Sequence, residues 1–242
     1  MIHVYDTPRE LYDAAAWLWI QAALDRRRGQ GGLVGIATGT TTAPIHETVA
    51  RLYAVAPFDT RAIAICAVDD YAGMEAGHIA SCSERIRRQL MRPLGLAEEQ
   101  ALLPDRFTGS DAPLQYEDAV ARRGGVRMQM LGLGEDGHIG FNYPGASFGE
   151  GAHWVDLPQS TGDTLRRLYE LPAEKAPTHG LTLGIRSILM SRRIVIAATG
   201  ARKAAIVRDA VLGPVCERVP ASALQLHRDV AWLLDKEAAS LL

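Results

Sequence analysis

Asp136 and His138 stand one glycine apart in LGLGEDGHIGFNYPG, Leu131 to Gly145. A carboxylate beside a histidine can orient the imidazole and hold it in one tautomer or in its charged form, so this pair can move protons. The plain alternative is a D-G turn. A second acidic pair, Asp69 and Asp70, ends the apolar run RAIAICAV (61–68). A carboxylate at the mouth of an apolar sheet can have a raised pKa and serve as a base, or it can simply cap or turn the chain. TGTTT (38–42) lies between the apolar run LVGIA (33–37) and the helical pattern APIHETVARLY (43–53). Gly39 permits a tight turn there. The hydroxyls of Thr38, Thr40, Thr41 and Thr42, with free N–H groups at the helix start, suit a phosphate. No G-K-[ST] follows, which argues against a nucleoside triphosphate, and a run of helix-capping residues is the alternative. Arg202 and Lys203 open a helix after the strand-like RRIVIAAT (192–199). Cations there oppose the helix dipole. A bound anion would remove the conflict, and a solvated pair of charges is the alternative.

Two motif matches fail on context. Gly132, Gly134 and Gly137 have G-x-G-x-x-G spacing, and Asp156 lies about 20 residues on, as a dinucleotide fingerprint requires. The helix that should hold the pyrophosphate is missing, because Gly140, Pro144, Gly145 and Gly149 follow. GASFG (145–149) matches G-x-S-x-G, with Ser147 as nucleophile and His179 and His227 downstream. That elbow needs a strand before the serine and a helix after it, and the flanking FNYP and GEGAHW supply neither.

The elements that must position these residues alternate. Helical spacing marks 8–28, 43–53, 83–91 (started by Ser83), 111–123 (capped by Ser110 or Asp111) and 201–212. Apolar runs mark strands at 33–37, 61–68, 126–133, 192–199 and 229–235. Such alternation predicts an α/β fold: an open, mostly parallel Rossmann-like sheet with helices on both faces, a three-layer αβα arrangement. The region 140–178 is rich in Gly and Pro and reads as long loops or a lid, with a short helix near 163–169. Ligands of open parallel sheets sit outside the carboxyl ends of the strands. The loops after residues 37, 68, 133 and 199 should therefore face one crevice.

The chain has 242 residues, 48% hydrophobic and 22% charged, which fits a soluble globular protein with a substantial core, expected to be one domain over 1–242. A net charge of −2 gives no reason to expect nucleic acid or a membrane surface as partner. Cys66, Cys82 and Cys216 are scattered, without zinc spacing, and read as free thiols. The N-terminus shows no signal-peptide pattern, and no uncharged stretch reaches the roughly 18 residues of a membrane span. A cytoplasmic location is the expectation.

The four loops together resemble one family, the glucosamine/galactosamine-6-phosphate isomerases, which are glucosamine-6-phosphate deaminase-like with 6-phosphogluconolactonases as distant relatives. TGTTTAP is similar to that family's TGGTP, VDDYAGM to MDEYVGL, and GLGEDGHIGFNYPGAS to G-x-G-x-DGHIAFNEPGSS. THGLTLGIRSIL is similar to ALTVGVGTLL, and TGARKAAIVRDAVLG with the later ASALQLH to the C-terminal signature. The resemblance runs from about Leu33 to Asp235, and DGHI-x-FN and LQLH are its most specific parts.

The resemblance implies aldose–ketose isomerisation with deamination, from a hexosamine 6-phosphate to a ketohexose 6-phosphate and ammonia. Asp69 matches the base that moves a proton from C2 to C1. Asp136 and His138 match the pair that opens the sugar ring. Thr38, Gly39, Thr40, Thr41, Thr42, Asp70, Gly137 and Lys203 match substrate- and phosphate-binding positions. Arg167 matches a phosphate-binding arginine across a weakly similar segment, with Arg166 as the alternative. The family's chemistry requires no metal and no redox cofactor, and its partner is a small phosphosugar; a homo-oligomer is left open. One position departs: Tyr143 stands where the family's deaminases have a ring-opening glutamate, and a phenol of ordinary pKa about 10 supplies no carboxylate near neutrality. Slower ring opening, a different epimer or phosphosugar, a lactonase-like hydrolase, and a phosphosugar-binding protein without turnover all remain open on that substitution. The chain also ends soon after DVAWLLDKEAAS, short of the extension of regulated hexamers, so no allosteric site is expected.

Overall fold

The computed structural model describes residues 1–25 and 32–242. In chain order its elements are β1 (Ile2–Tyr5), α1 (Pro8–Leu24), β2 (Leu33–Ile36), α2 (Ala43–Val55), β3 (Ile65–Ala67), β4 (Asp69–Tyr71), α3 (Cys82–Ile86), α4 (Arg92–Leu94), β5 (Ala101–Leu102), α5 (Ala112–Arg122), β6 (Val126–Gly132), β7 (His153–Asp156), α6 (Gln159–Tyr169), β8 (His179–Thr182), α7 (Ile185–Leu189), β9 (Arg193–Ala198), α8 (Ala204–Leu212) and β10 (Val230–Asp235). Local chemistry sets several boundaries. The Thr7 hydroxyl accepts the Glu10 N–H at 3.3 Å and the Glu10 carboxylate accepts the Thr7 N–H at 3.2 Å, while Pro8 fills the first turn of α1, where no N–H is needed. Gly95 closes α4 in the left-handed region at φ 64°.

Seven strands form one parallel sheet in the order β1-β10-β9-β6-β2-β3-β5. Each central strand is buried on both sides, and its side chains alternate between two cores. Ile194, Ile196 and Ala198 of β9 join Trp232 and Leu234 of β10 in one core, with residues of α5, α7 and α8. Val195, Ala197, Ala231 and Leu233 join the opposite core, with α1, α2, α3 and α4. The three-layer expectation is met. Chain direction across the sheet reverses between β2 and β6, so the loops leaving their carboxyl ends part and open a crevice.

A second sheet, β4-β8-β7, is antiparallel and was not foreseen. Only Val68 separates β4 from β3, so the chain leaves the main sheet and enters the small one almost without a turn. Asp69 pairs with Thr182 and Asp70 with Leu181. The 140–178 region, read as loops with a helix near 163–169, holds β7 and the longer helix α6. The strand expected over 61–68 is limited to 65–67, because the carbonyls of Thr60 and Ile63 accept the Gln100 side-chain amide, both at 2.8 Å, instead of a strand partner. The helix expected from Ser83 starts at Cys82 with Ser81 as cap, and residues 87–91 are π-helical. Asp111 occupies the cap position of α5 without a side-chain capping bond. The first helix ends at Leu24, and residues 26–28 of its expected span lie outside the described residues. Residues 201–203 form a 3-10 turn ahead of α8. No helix among the described residues is long and apolar enough to cross a membrane.

Candidate active site

The four loops meet at the crevice. Position 132 at the end of β6 lies against Thr42, since a Cβ built there would sit 3.7 Å from the Thr42 Cγ2. Lys203 Nζ donates to the Leu133 carbonyl at 2.6 Å, fastening the loop after β9 to the loop after β6. A Cβ at Gly140 would come within 3.3 Å of an Asp69 carboxylate oxygen, so the DGHIG turn touches the start of β4.

The turn is shaped by its small residues and by Asn142. The His138 ring occupies the space where a side chain at Gly134 would start. Gly137 has φ +88°, which favours glycine, and packs so close to Val219 and Ile206 that a Cβ would sit 3.0 and 3.1 Å from their side chains. The buried Asn142 amide donates to the Ile139 and Leu183 carbonyls, both at 2.9 Å, and so closes the turn. Asp136 Oδ1 contacts His138 Nδ1 at 2.6 Å and accepts the His138 backbone N–H at 3.1 Å. Partial burial pushes the Asp136 carboxyl up, but hydrogen bonding to His138 and its charge outweigh this and leave it below the usual value. An ionised carboxylate only accepts, so Nδ1 carries a proton and Nε2 faces away from the pair.

Asp69 and Asp70 alternate across β4 and have different surroundings. Asp69 is buried, and desolvation raises its carboxyl to about 7, with the Asp70 charge adding to the rise and Arg85 and the Cys82 thiol opposing it. Asp70 is committed elsewhere. Its carboxylate accepts the N–H groups of Tyr71 at 2.7 Å, Cys82 at 2.7 Å and Ser83 at 3.0 Å, and the Ser81 hydroxyl at 3.0 Å. It pins the start of α3.

Thr41 and Thr42 are buried, Thr38 and Gly39 half-buried and Thr40 exposed. Thr42 precedes α2 without capping it, and its hydroxyl donates to the Gly39 carbonyl at 3.4 Å. Lys203 is half-buried; desolvation lowers its pKa, against the raising influence of Glu135 and Asp136. Arg202 is exposed and pairs with Glu135 at 3.4 Å. Arg166 and Arg167 are both exposed on α6, whose buried residue is Leu165. Arg167 stands about 200° around the helix from Leu165, and Arg166 pairs with Asp163 at 3.4 Å.

The Tyr143 ring packs 5.1 Å from the His138 ring, centroid to centroid, and its hydroxyl shares a 3.2 Å hydrogen bond with Thr161 of α6. Burial, with the charges of Asp69 and Asp136, raises the phenol to about 12, so it is neutral. Two residues of the site went unnoticed in the sequence. Asp235, buried at the end of β10, accepts the Gly200 N–H at 3.0 Å and the Ala238 N–H at 2.8 Å, and so holds the turn that carries Lys203. Arg85 of α3 reaches the Cys82 thiol at 3.1 Å beside Asp69. The esterase-like serine has no triad: Ser147 is exposed and accepts the Gly149 N–H, His179 pairs with Asp156 and His227 contacts the Ser191 carbonyl.

Residues 6–232 match the family model of glucosamine-6-phosphate isomerases/6-phosphogluconolactonase. The chain belongs to this family. A glucosamine-6-phosphate deaminase of Arthrobacter sp. (strain FB24) is 38% identical over 219 residues, covering 89% of this chain and 84% of its own. A glucosamine-6-phosphate deaminase of Streptomyces avermitilis is 39% identical, covering 87% of this chain and 81% of its own. Among solved structures, a monomeric glucosamine-6-phosphate deaminase superposes with a TM-score of 0.90 at 31% identity, covering 100% of this chain and 99% of its own. The 6-phosphogluconolactonase of Trypanosoma brucei shares the fold of this family member, with a TM-score of 0.75 at 20% identity and coverage of 100% and 98%.

Proposed function

We propose that this chain is a deaminating isomerase of a hexosamine 6-phosphate, producing a ketohexose 6-phosphate and ammonia, with glucosamine 6-phosphate as the first substrate to test. The observation that carries the reading is the buried Asp69 carboxyl, raised to about 7, next to the turn that holds Asp136 and His138. An acid of that pKa near neutral pH is matched to taking a proton from carbon and returning it.

The geometry supports the following roles. With Nδ1 held by Asp136, Nε2 of His138 is the free end of the ring and assists proton movement on the ring oxygen as the sugar opens. The aldehyde so exposed acidifies the C2 proton, which Asp69 removes. The same proton, or one exchanged with water, returns to C1 and leaves a C2 imine. Water adds to the imine and ammonia departs, which balances the reaction with no electron acceptor. Tyr143 supplies packing and a neutral hydroxyl, so Asp136 and His138 carry ring opening without a third carboxylate. Thr38 to Thr42 and Lys203 surround the phosphate, whose binding energy positions C1 and C2. Residues 1–242 act as one catalytic domain whose partner is the phosphosugar itself.

Proton NMR in D₂O with glucosamine 6-phosphate and galactosamine 6-phosphate in parallel tests this reading, following C2–H exchange and ammonia. Exchange with ammonia from one epimer is the expected result and names the substrate. No exchange with either sugar overturns the reading.

A further inference from the structure

Arg85 is a cation with no carboxylate paired to it among the described residues. Its Nε is fully buried without a hydrogen-bond partner, and its only hydrogen bond is the 3.1 Å contact from Nη2 to the Cys82 sulfur, a weak acceptor. A guanidinium in that condition costs stability unless an anion completes it. Its neighbours place it inside the crevice. Tyr71 of β4, Tyr169 of α6 and Asp69 all lie close enough for its charge to act on them. Thr38, the first residue of the TGTTT loop, lies beside the same Cys82 thiol, and its hydroxyl is also buried without a partner. Thr38 and Arg85 therefore meet at one sulfur, one from the loop after β2 and one from α3.

We propose that Arg85, with Thr38, binds the phosphate of the substrate. The proposal rests on the hexosamine phosphate reading, since phosphate is the one permanent anion of that substrate. A guanidinium can give a phosphate two parallel N–H donors, and the Thr38 hydroxyl a third.

The test is calorimetric titration of inorganic phosphate into the full chain and its Arg85→Gln and Arg85→Lys variants, beside steady-state kinetics with glucosamine 6-phosphate. Arg85→Gln is expected to weaken phosphate binding and raise KM about tenfold or more, with a smaller fall in kcat, and Arg85→Lys to recover part of the loss. Unchanged phosphate affinity in Arg85→Gln overturns the proposal, and so does a change confined to the pH profile, which would make Arg85 a regulator of Asp69 alone. Should Arg85→Gln fail to fold, the Arg85 Nε–H signal of the wild-type chain, assigned by its loss in Arg85→Lys, must shift on adding phosphate; a signal that stays fixed overturns the proposal. Phosphate binding is read without turnover, so a chain that binds phosphate through Arg85 yet turns over no hexosamine phosphate would sink the functional reading and leave this one standing.

Discussion

Asp136 holds His138 twice, through the ring at 2.6 Å and through the backbone N–H at 3.1 Å, so the carboxylate fixes both the tautomer and the place of the imidazole in the turn. Asp136→Asn keeps the shape but offers an amide where an acceptor is needed. The ring can then bind through either nitrogen in either tautomer. Turnover is expected to fall about 100-fold, within the range of general acid–base effects, with little change in KM. A loss confined to KM would remove the pair from ring opening.

Asp69 sets the acid limb of activity. Its base form exists above a pKa of about 7, so kcat/KM should drop as pH falls through about 7. Tyr143→Glu would place a carboxylate where the ring already feels the charges of Asp69 and Asp136. Like charge disfavours ionisation, so the limb should move to higher pH. A limb that stays in place would mean that another group governs it. Stability runs the other way. Between the ordinary carboxyl value of 3.8 and about 7, folded Asp69 keeps a proton that the unfolded chain has released, so stability from this site declines as pH rises through that window. Asp69→Asn should stabilise the chain at pH 8, on the order of a few kcal/mol, while abolishing C2–H exchange. Denaturant unfolding at pH 5 and pH 8 measures the difference.

Asp235→Ala leaves the Gly200 and Ala238 N–H groups without their acceptor. Buried unsatisfied donors cost about 1–3 kcal/mol each. The thermal midpoint should fall, and KM for the phosphosugar should rise because Lys203 loses its anchored turn. A drop in midpoint with KM unchanged would separate Asp235 from the phosphate site.

Gly134→Ala tests the seat of the histidine. The new methyl would overlap the imidazole, and such overpacking costs about 1–3 kcal/mol. Because the ring is the movable partner, kcat should drop at least about tenfold while the fold persists. Near-normal kcat would show that the ring works from another position.

The central strands were legible because their patterns are local. After Arg193, every residue of β9 is apolar, as is every residue of β10 up to the final aspartate, and each strand is long enough to stand out. β4, β7 and β8 were not, since each has only three or four residues and is stabilised by partners more than 20 positions away. The proton-moving residues could be named from spacing and motif. The division of labour between Asp69 and Asp70 could not, because it depends on where α3 begins relative to β4. Asp235 and Arg85 carry no local signal: one ends a strand and the other looks like a helix-surface cation until the chain folds around it.

The Asp69–Asp70 dipeptide leaves a hazard for the folding chain. The two side chains are identical and differ only in the face of β4 on which they fall. A one-residue slip of β4 against β8 would exchange them, giving a protein of nearly the same composition and shape whose base is turned into the scaffold. The four hydrogen bonds on Asp70 guard against that error. They act as a proofreading contact, satisfied in one register only, so that attachment of α3 to the sheet also selects the carboxylate left free for chemistry.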